Sequence, residues 1–214
     1  MSGLVSWEVH MSCATGAWCG VVLASLVATA TGVSQGVRPS YGFAAGLTVP
    51  TGDFHADANG DGFNTGWQGM AFVGFHLPYT AIGVRLDGTY SENSANDKLK
   101  SDATAIVGAP TDVKTKLLGA SVDLMYEFHS VSPASVYVLS GIGLYNAKVS
   151  ATSGNVTADT SKTKFTWNWG AGLTYIVGRA AVFVEVRYFD VSSPFGGSDL
   201  KYVPIVAGVR FRGR

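Results

Sequence analysis

Eight times between about residue 40 and its C-terminus, the chain alternates apolar side chains with small or polar ones at period two. That period belongs to β-strands with two unlike faces. The stretch "AAVFVEVRYFD", residues 180–190, shows how unlike they are. Val182, Val184, Val186 and Tyr188 fall on one face, while Glu185 and Arg187 fall on the other. A strand buried on both faces would reject two charges. A strand with one face in water would not need valine and tyrosine at every outward position. A strand facing lipid on one side and a narrow interior on the other satisfies both demands.

The other seven stretches follow the same scheme. "YGFAAGLTV" sets Tyr41, Phe43, Ala45, Leu47 and Val49 on one face. "TGWQGMAFVGFHL" opposes Trp67, Ala71, Val73, Phe75 and Leu77 to Gln68, Met70, Phe72 and His76. "AIGVRLDGTYS" opposes Ile82, Val84, Leu86 and Tyr90 to Arg85, Asp87, Thr89 and Ser91. "KLLGASVDLMYEF" opposes Leu118, Val122, Leu124, Tyr126 and Phe128 to Ser121, Asp123, Met125 and Glu127. "FTWNWGAGLTY" and "YVPIVAGVRFR" alternate likewise, the latter with Val203, Ile205, Ala207, Val209 and Phe211 on its apolar face. "VYVLSGIGLYNAK" is apolar on both faces in its middle. Ser140, Asn146 and Lys148 share one side, which places Tyr137, Leu139 and Tyr145 outward.

Long connections (50–64, 92–112, 149–161 and 192–199) alternate with short ones near Pro78, at 129–134 and at 177–180. Such sorting describes an up-and-down meander and not a Greek-key sandwich. Strands of about 9–11 tilted residues span a bilayer. Tyr41, Trp67, Tyr90, Tyr126, Phe128, Tyr137, Tyr145, Trp167, Tyr175 and Tyr188 gather near strand ends, as interfacial girdles require. The fold expected is all-β: an eight-stranded antiparallel up-and-down transmembrane β-barrel over residues 38–212.

The first thirty residues hold no Lys or Arg and contain the apolar run "AWCGVVLASLVATA". Ala28-Thr29-Ala30 is a small-x-small cleavage site, so residues 1–30 are expected to be an export signal peptide, starting at Met1 or Met11. A buried N-terminal helix or a membrane anchor is the alternative. Cys13 and Cys19 both lie inside this segment, so the mature chain has no disulfide and no thiolate metal site. Removing Glu8 from 15 basic and 15 acidic residues leaves a net charge of +1. That balance gives no reason to expect nucleic acid.

On "YGFAAGLTVPTG", "YVLSGIGLYN", "FTWNWGAGLTY", "VFVEVRYFD" and "VPIVAGVRF", the chain resembles the outer membrane protein β-barrel domain family of small bacterial barrels. The resemblance implies localisation in the bacterial outer membrane, contact with membrane lipids, and insertion by the barrel-assembly machinery. That machinery reads a last strand ending in an aromatic. Gly208 and Phe211 fit, with Arg212-Gly213-Arg214 running past them. The resemblance further implies a non-enzymatic protein, without cofactor and monomeric, with an envelope-structural or surface-binding role through its long loops.

Three other functions share eight up-and-down strands. A small-solute pore needs an open interior. A lipid-A-modifying barrel enzyme needs a His–Ser–carboxylate group at the rim. The nearest cluster is His129-Ser130 beside Glu127, on the short-turn side. A soluble lipocalin-like ligand-binding barrel needs polar residues outside. One loop motif, "DANGDG", spaces Asp57, Asn59 and Asp61 like the opening of a calcium loop. Gln68 stands where the bidentate Glu belongs, and a turn cluster is the simpler account.

Eight strands enclose an interior just wide enough for side chains to fill. Arg85, Asp87, Asp123, Glu185 and Arg187 are expected to meet there at similar depth, with Glu127 and Arg210 nearer the short-turn end. Asp87, Asp123 and Glu185 face Arg85 and Arg187, three acids against two bases, and Arg210 is expected to bring that count to three against three.

Overall fold

The computed structural model describes residues 38–56, 58–128, 133–193 and 199–213. The expected signal peptide, Asp57, and the His129-Ser130 pair lie outside the described residues. Eight strands follow one another: β1 Arg38–Thr51, β2 Gly66–His76, β3 Ile82–Ser94, β4 Thr111–Phe128, β5 Ala134–Ser153, β6 Val156–Val177, β7 Ala180–Val191 and β8 Leu200–Arg212. Each pairs antiparallel with the next, and β8 returns to β1 through Tyr41↔Phe211 and Leu47↔Ile205, closing the barrel. Closure leaves no sheet edge within the membrane, where an unpaired backbone group would cost several kcal/mol.

Burial shows which face is which. Leu86, Leu124, Val184, Leu173 and Ile205 are exposed on the outer face. Arg85, Asp87, Asp123, Glu185 and Arg187 are buried on the inner one. This is an inside-out arrangement relative to a soluble barrel, and it makes the outer wall a lipid surface. Rings cluster at both margins of that wall. At the long-loop end the Trp67 ring lies tilted against Tyr90 at 5.3 Å, and Trp167 against Tyr188 at 5.7 Å. At the short-turn end Tyr41 meets Phe211 at 5.6 Å, and Tyr126 meets Phe128 at 4.9 Å.

Strand β5 faces the other way from the sequence expectation. Tyr137, Leu139 and Tyr145 point inward and are buried, while Val136, Val138, Ile142 and Leu144 meet lipid. The reason lies in hydroxyl partners. Tyr137 donates to Glu185 and Thr89 donates to the Tyr145 hydroxyl, so both phenols find polar company only in the lumen. The polar residues on the outer face are accommodated differently. Ser140 donates to the backbone carbonyl of Asn168 at 3.0 Å, and Asn146 and Lys148 stand above the apolar band.

Two connections expected as loops are built structure. Segment 149–161 is strand, with β5 and β6 turning only at Gly154, whose φ of +57° suits glycine. Segment 92–112 carries a helix, α1 Asp97–Val107, capped by the Asn96 side chain accepting from the Leu99 amide and ended by Gly108 at φ +76°. Phe63 bridges to Ala95, and the Asn96 side-chain amide donates to the Gly60 carbonyl, so the first long connection is tied to α1.

Candidate functional site

The barrel interior is built from alternate residues of every strand, and its central layer is ionic. Arg85 on β3 donates to Glu185 on β7 through both Nη atoms, at 2.8 and 2.9 Å. Its Nε lies 2.9 Å from Asp87 Oδ1. Arg187 donates to Glu185 beside it on β7, to Asp87 on β3, and to Asp123 on β4 at 3.4 Å. Each of the two guanidiniums therefore touches more than one carboxylate, and each carboxylate accepts from a guanidinium. Tyr137 adds a 2.6 Å bond to Glu185, and Ser121 a 2.9 Å bond to Asp123. Arg85 also lies over the Phe72 ring at 4.8 Å. Charges this deep persist only when paired and hydrogen-bonded.

Glycine makes the room. Across the strand pairs Gly74 sits opposite Arg85, Gly141 opposite Asp123, Gly170 opposite Arg187, and Gly172 opposite Glu185. A Cβ on Gly141 would lie 2.1 Å from Asp123 Oδ1, and one on Gly172 would lie 2.3 Å from the Tyr137 ring. Long side chains reach the axis because the neighbouring strand withholds its own.

Glu127 and Arg210 form a separate group. Arg210 donates to Glu127 at 3.4 Å near the short-turn end, so it does not join the central acids as expected. The central layer holds Asp87, Asp123 and Glu185 against Arg85 and Arg187. Glu127 also accepts 2.7 Å from Ser135 and lies 3.3 Å from His76 Nε2. Ser135 thus donates to one Glu127 oxygen while the His76 imidazole faces the other.

Apolar layers close the lumen on both sides of the charges. Toward the long loops, Phe54, Leu117, Tyr145, Phe189, Val191 and Tyr202 pack together, with Phe189 stacked on Tyr202 at 5.1 Å. Phe54 comes from a 3₁₀ turn, Gly52–Phe54, folded into the mouth. Toward the short turns, Phe72 meets Phe183 edge-on at 5.7 Å within a cluster of Met70, Ala44 and Val206. Such an interior ties the strands together across the lumen.

Of the calcium-like loop, Asp57 lies outside the described residues. Lys98 Nζ, from α1, stands 3.9 Å from Asp61 Oδ1, so an ammonium already occupies the acidic side. Among the described residues no group of three His, Cys, Asp or Glu is arranged for a metal.

Outside the membrane the wall is lysine-rich. The Glu92 carboxylate beside Lys114 raises that ammonium's pKa, and the hydrogen bond from Lys148 lowers that of Asp159.

A closed, eight-stranded antiparallel barrel with an apolar exterior, two ring girdles and an ionic core is an integral outer-membrane barrel. The chain belongs to the outer membrane protein beta-barrel domain family, whose model matches residues 20–212. Among solved structures it is similar to Neisserial surface protein A, at 18% identity and a TM-score of 0.54, over 83% of this chain and 99% of that one. It is also similar to a major outer membrane protein from Thermus thermophilus, at 12% identity and a TM-score of 0.64, over 84% and 100%. No curated protein matches. Likenesses this distant speak for the fold.

Proposed function

We propose that the protein is a non-enzymatic, pore-free anchor that carries a raised β-wall on the cell surface. One observation carries this. The described lumen holds an ionic layer between two apolar clusters, while β4, β5 and β6 run to 18, 20 and 22 residues, well past the length needed to cross. Material spent above the membrane, and none spent on a channel, fits presentation of a surface. A surface ligand would be held by this wall, by α1, or by the connection tied to α1. Export through the periplasm with loss of residues 1–30, insertion by the barrel-assembly machinery, and a monomeric state belong to the same proposal.

Single cysteines test the orientation, since the mature chain would carry none. Asn155→Cys lies at the β5–β6 tip and Arg179→Cys at a short turn. On intact cells a membrane-impermeant maleimide is expected to label the first and spare the second. Labelling only at Arg179→Cys would invert the barrel and end the proposal.

A further inference from the structure

Where β4 and β5 leave the apolar band, Lys116 and Lys148 stand directly opposite each other across the strand pair. Lys114 lies two residues earlier on β4, one outward step higher on the same face. Like charges in such positions repel, and a sheet gains nothing by placing them together. The local counter-charge is short by one. Glu92 is divided between Lys114 at 3.2 Å and Lys116 at 3.7 Å, and Asp159 takes Lys148 at 2.7 Å. Asp112, which also acts on Lys114, lies 3.3 Å from Lys100, so four ammoniums share three carboxylates, and Lys114, Lys116 and Lys148 remain about two-fifths exposed.

Their height is as telling as their charge. The outward residue next below Lys116 is Leu118, 61% exposed, and below Lys148 come Asn146 and then Leu144, 62% exposed, on the lipid-facing wall. One outward step along a strand is about 6.5–7 Å. Lys116 pairs with Glu92, one outward step above Tyr90, and Lys148 lies three outward steps above Ile142, the partner of Trp167, so the lysines stand above the ring girdle, at the level of head groups. Asn146 and Thr163, hydrogen-bonded to each other at 3.1 Å, complete a polar ledge beside Lys148. An anion entering this zone from the membrane side would meet ammoniums backed by hydrocarbon, where attraction is screened less than in open water.

We infer that Lys114, Lys116 and Lys148 bind the phosphate of an outer-leaflet glycolipid, with its acyl chains lying on the wall below. Lysine suits this task as a point charge that tolerates a phosphate in several poses. The inference rests on the orientation proposed above, since the row would face a different leaflet in an inverted barrel. The cysteine-labelling result decides that question separately.

The test uses the full barrel refolded in detergent and native mass spectrometry, with bisphosphorylated lipid A, its dephosphorylated form and inorganic phosphate as probes. Lys116→Gln/Lys148→Gln is expected to lower retention of bisphosphorylated lipid A by about tenfold or more, equivalent to about 1.4 kcal/mol. Lys162→Gln/Lys164→Gln removes equal charge from the opposite face of the same wall and is expected to change little. The dephosphorylated lipid is expected to bind weakly to every form. Both pairs are exposed, and a gel-mobility shift on heating verifies that each variant is folded. Equal retention by wild type and Lys116→Gln/Lys148→Gln would overturn the site. Equal loss in both double variants would reduce it to net charge. Inorganic phosphate displacing the lipid completely at comparable concentration would make the ligand a free anion and overturn the lipid assignment.

Discussion

Arg85 and Glu185, one hundred residues apart in sequence, are joined across the barrel by two parallel hydrogen bonds of 2.8 and 2.9 Å. Fork-to-carboxylate geometry is the strongest form of such a pair. Replacing Arg85 with Met is expected to leave Glu185 and Asp87 buried beside a single remaining guanidinium. Loss of a buried partner costs about 3–5 kcal/mol. Urea titration of refolded barrels in detergent measures it. A cost under about 1 kcal/mol, the value of a surface pair, would show that this bond is solvated.

Interior glycines should resist enlargement. Gly172→Val puts a branched Cβ into the Tyr137 ring, whose nearest atom is 2.3 Å from the ideal Cβ position. Overpacking of this kind typically costs about 1–3 kcal/mol. Gly88→Ala is the control, because its Cβ would meet only a carbonyl oxygen at 4.0 Å. Equal stability of the two variants would mean that the lumen yields.

The outer face should reject charge. Val184→Arg, Leu86→Arg and Val138→Arg each place a cation against acyl chains, at a cost of about 2–4 kcal/mol near the bilayer midplane. Val138 carries the extra burden of testing the face of β5. Folding yield into vesicles is the readout, and tolerance of Val138→Arg alone would return Tyr137 to the lipid side.

Much of this was legible because period-two alternation transmits directly into two faces. In residues 82–90 of β3 and 182–188 of β7 every charge lies on the face opposite the apolar row, so orientation and depth followed from counting. β5 was illegible for the opposite reason: its middle is apolar on both faces, and polar Ser140 lies on the outer one. What decides β5 is the need of two phenols for partners on distant strands, which no local pattern contains. Helix α1 did leave a trace, with Asn96 able to cap and Gly108 able to end a helix, inside a segment whose mixed charges masked it. Which carboxylate each arginine takes was not countable. Arg85 lies opposite Asp123 in register, yet Asp123 pairs with Arg187. The glycines opposite the charged residues were the available hint, since they mark where a neighbour's side chain must pass.

Export is a matter for the mature N-terminus. Sequencing of membrane-extracted protein is expected to begin at Thr31 or within a few residues of it. A chain beginning at Met1 or Met11 would leave residues 1–30 in the mature protein.

Ion flow tests the central claim most directly, because a packed ionic core and an open channel exclude each other. Refolded wild-type barrels in planar bilayers are expected to insert without stable conductance steps, as an eight-stranded lumen filled by side chains requires. Large, long-lived open channels from the wild-type protein would contradict the account.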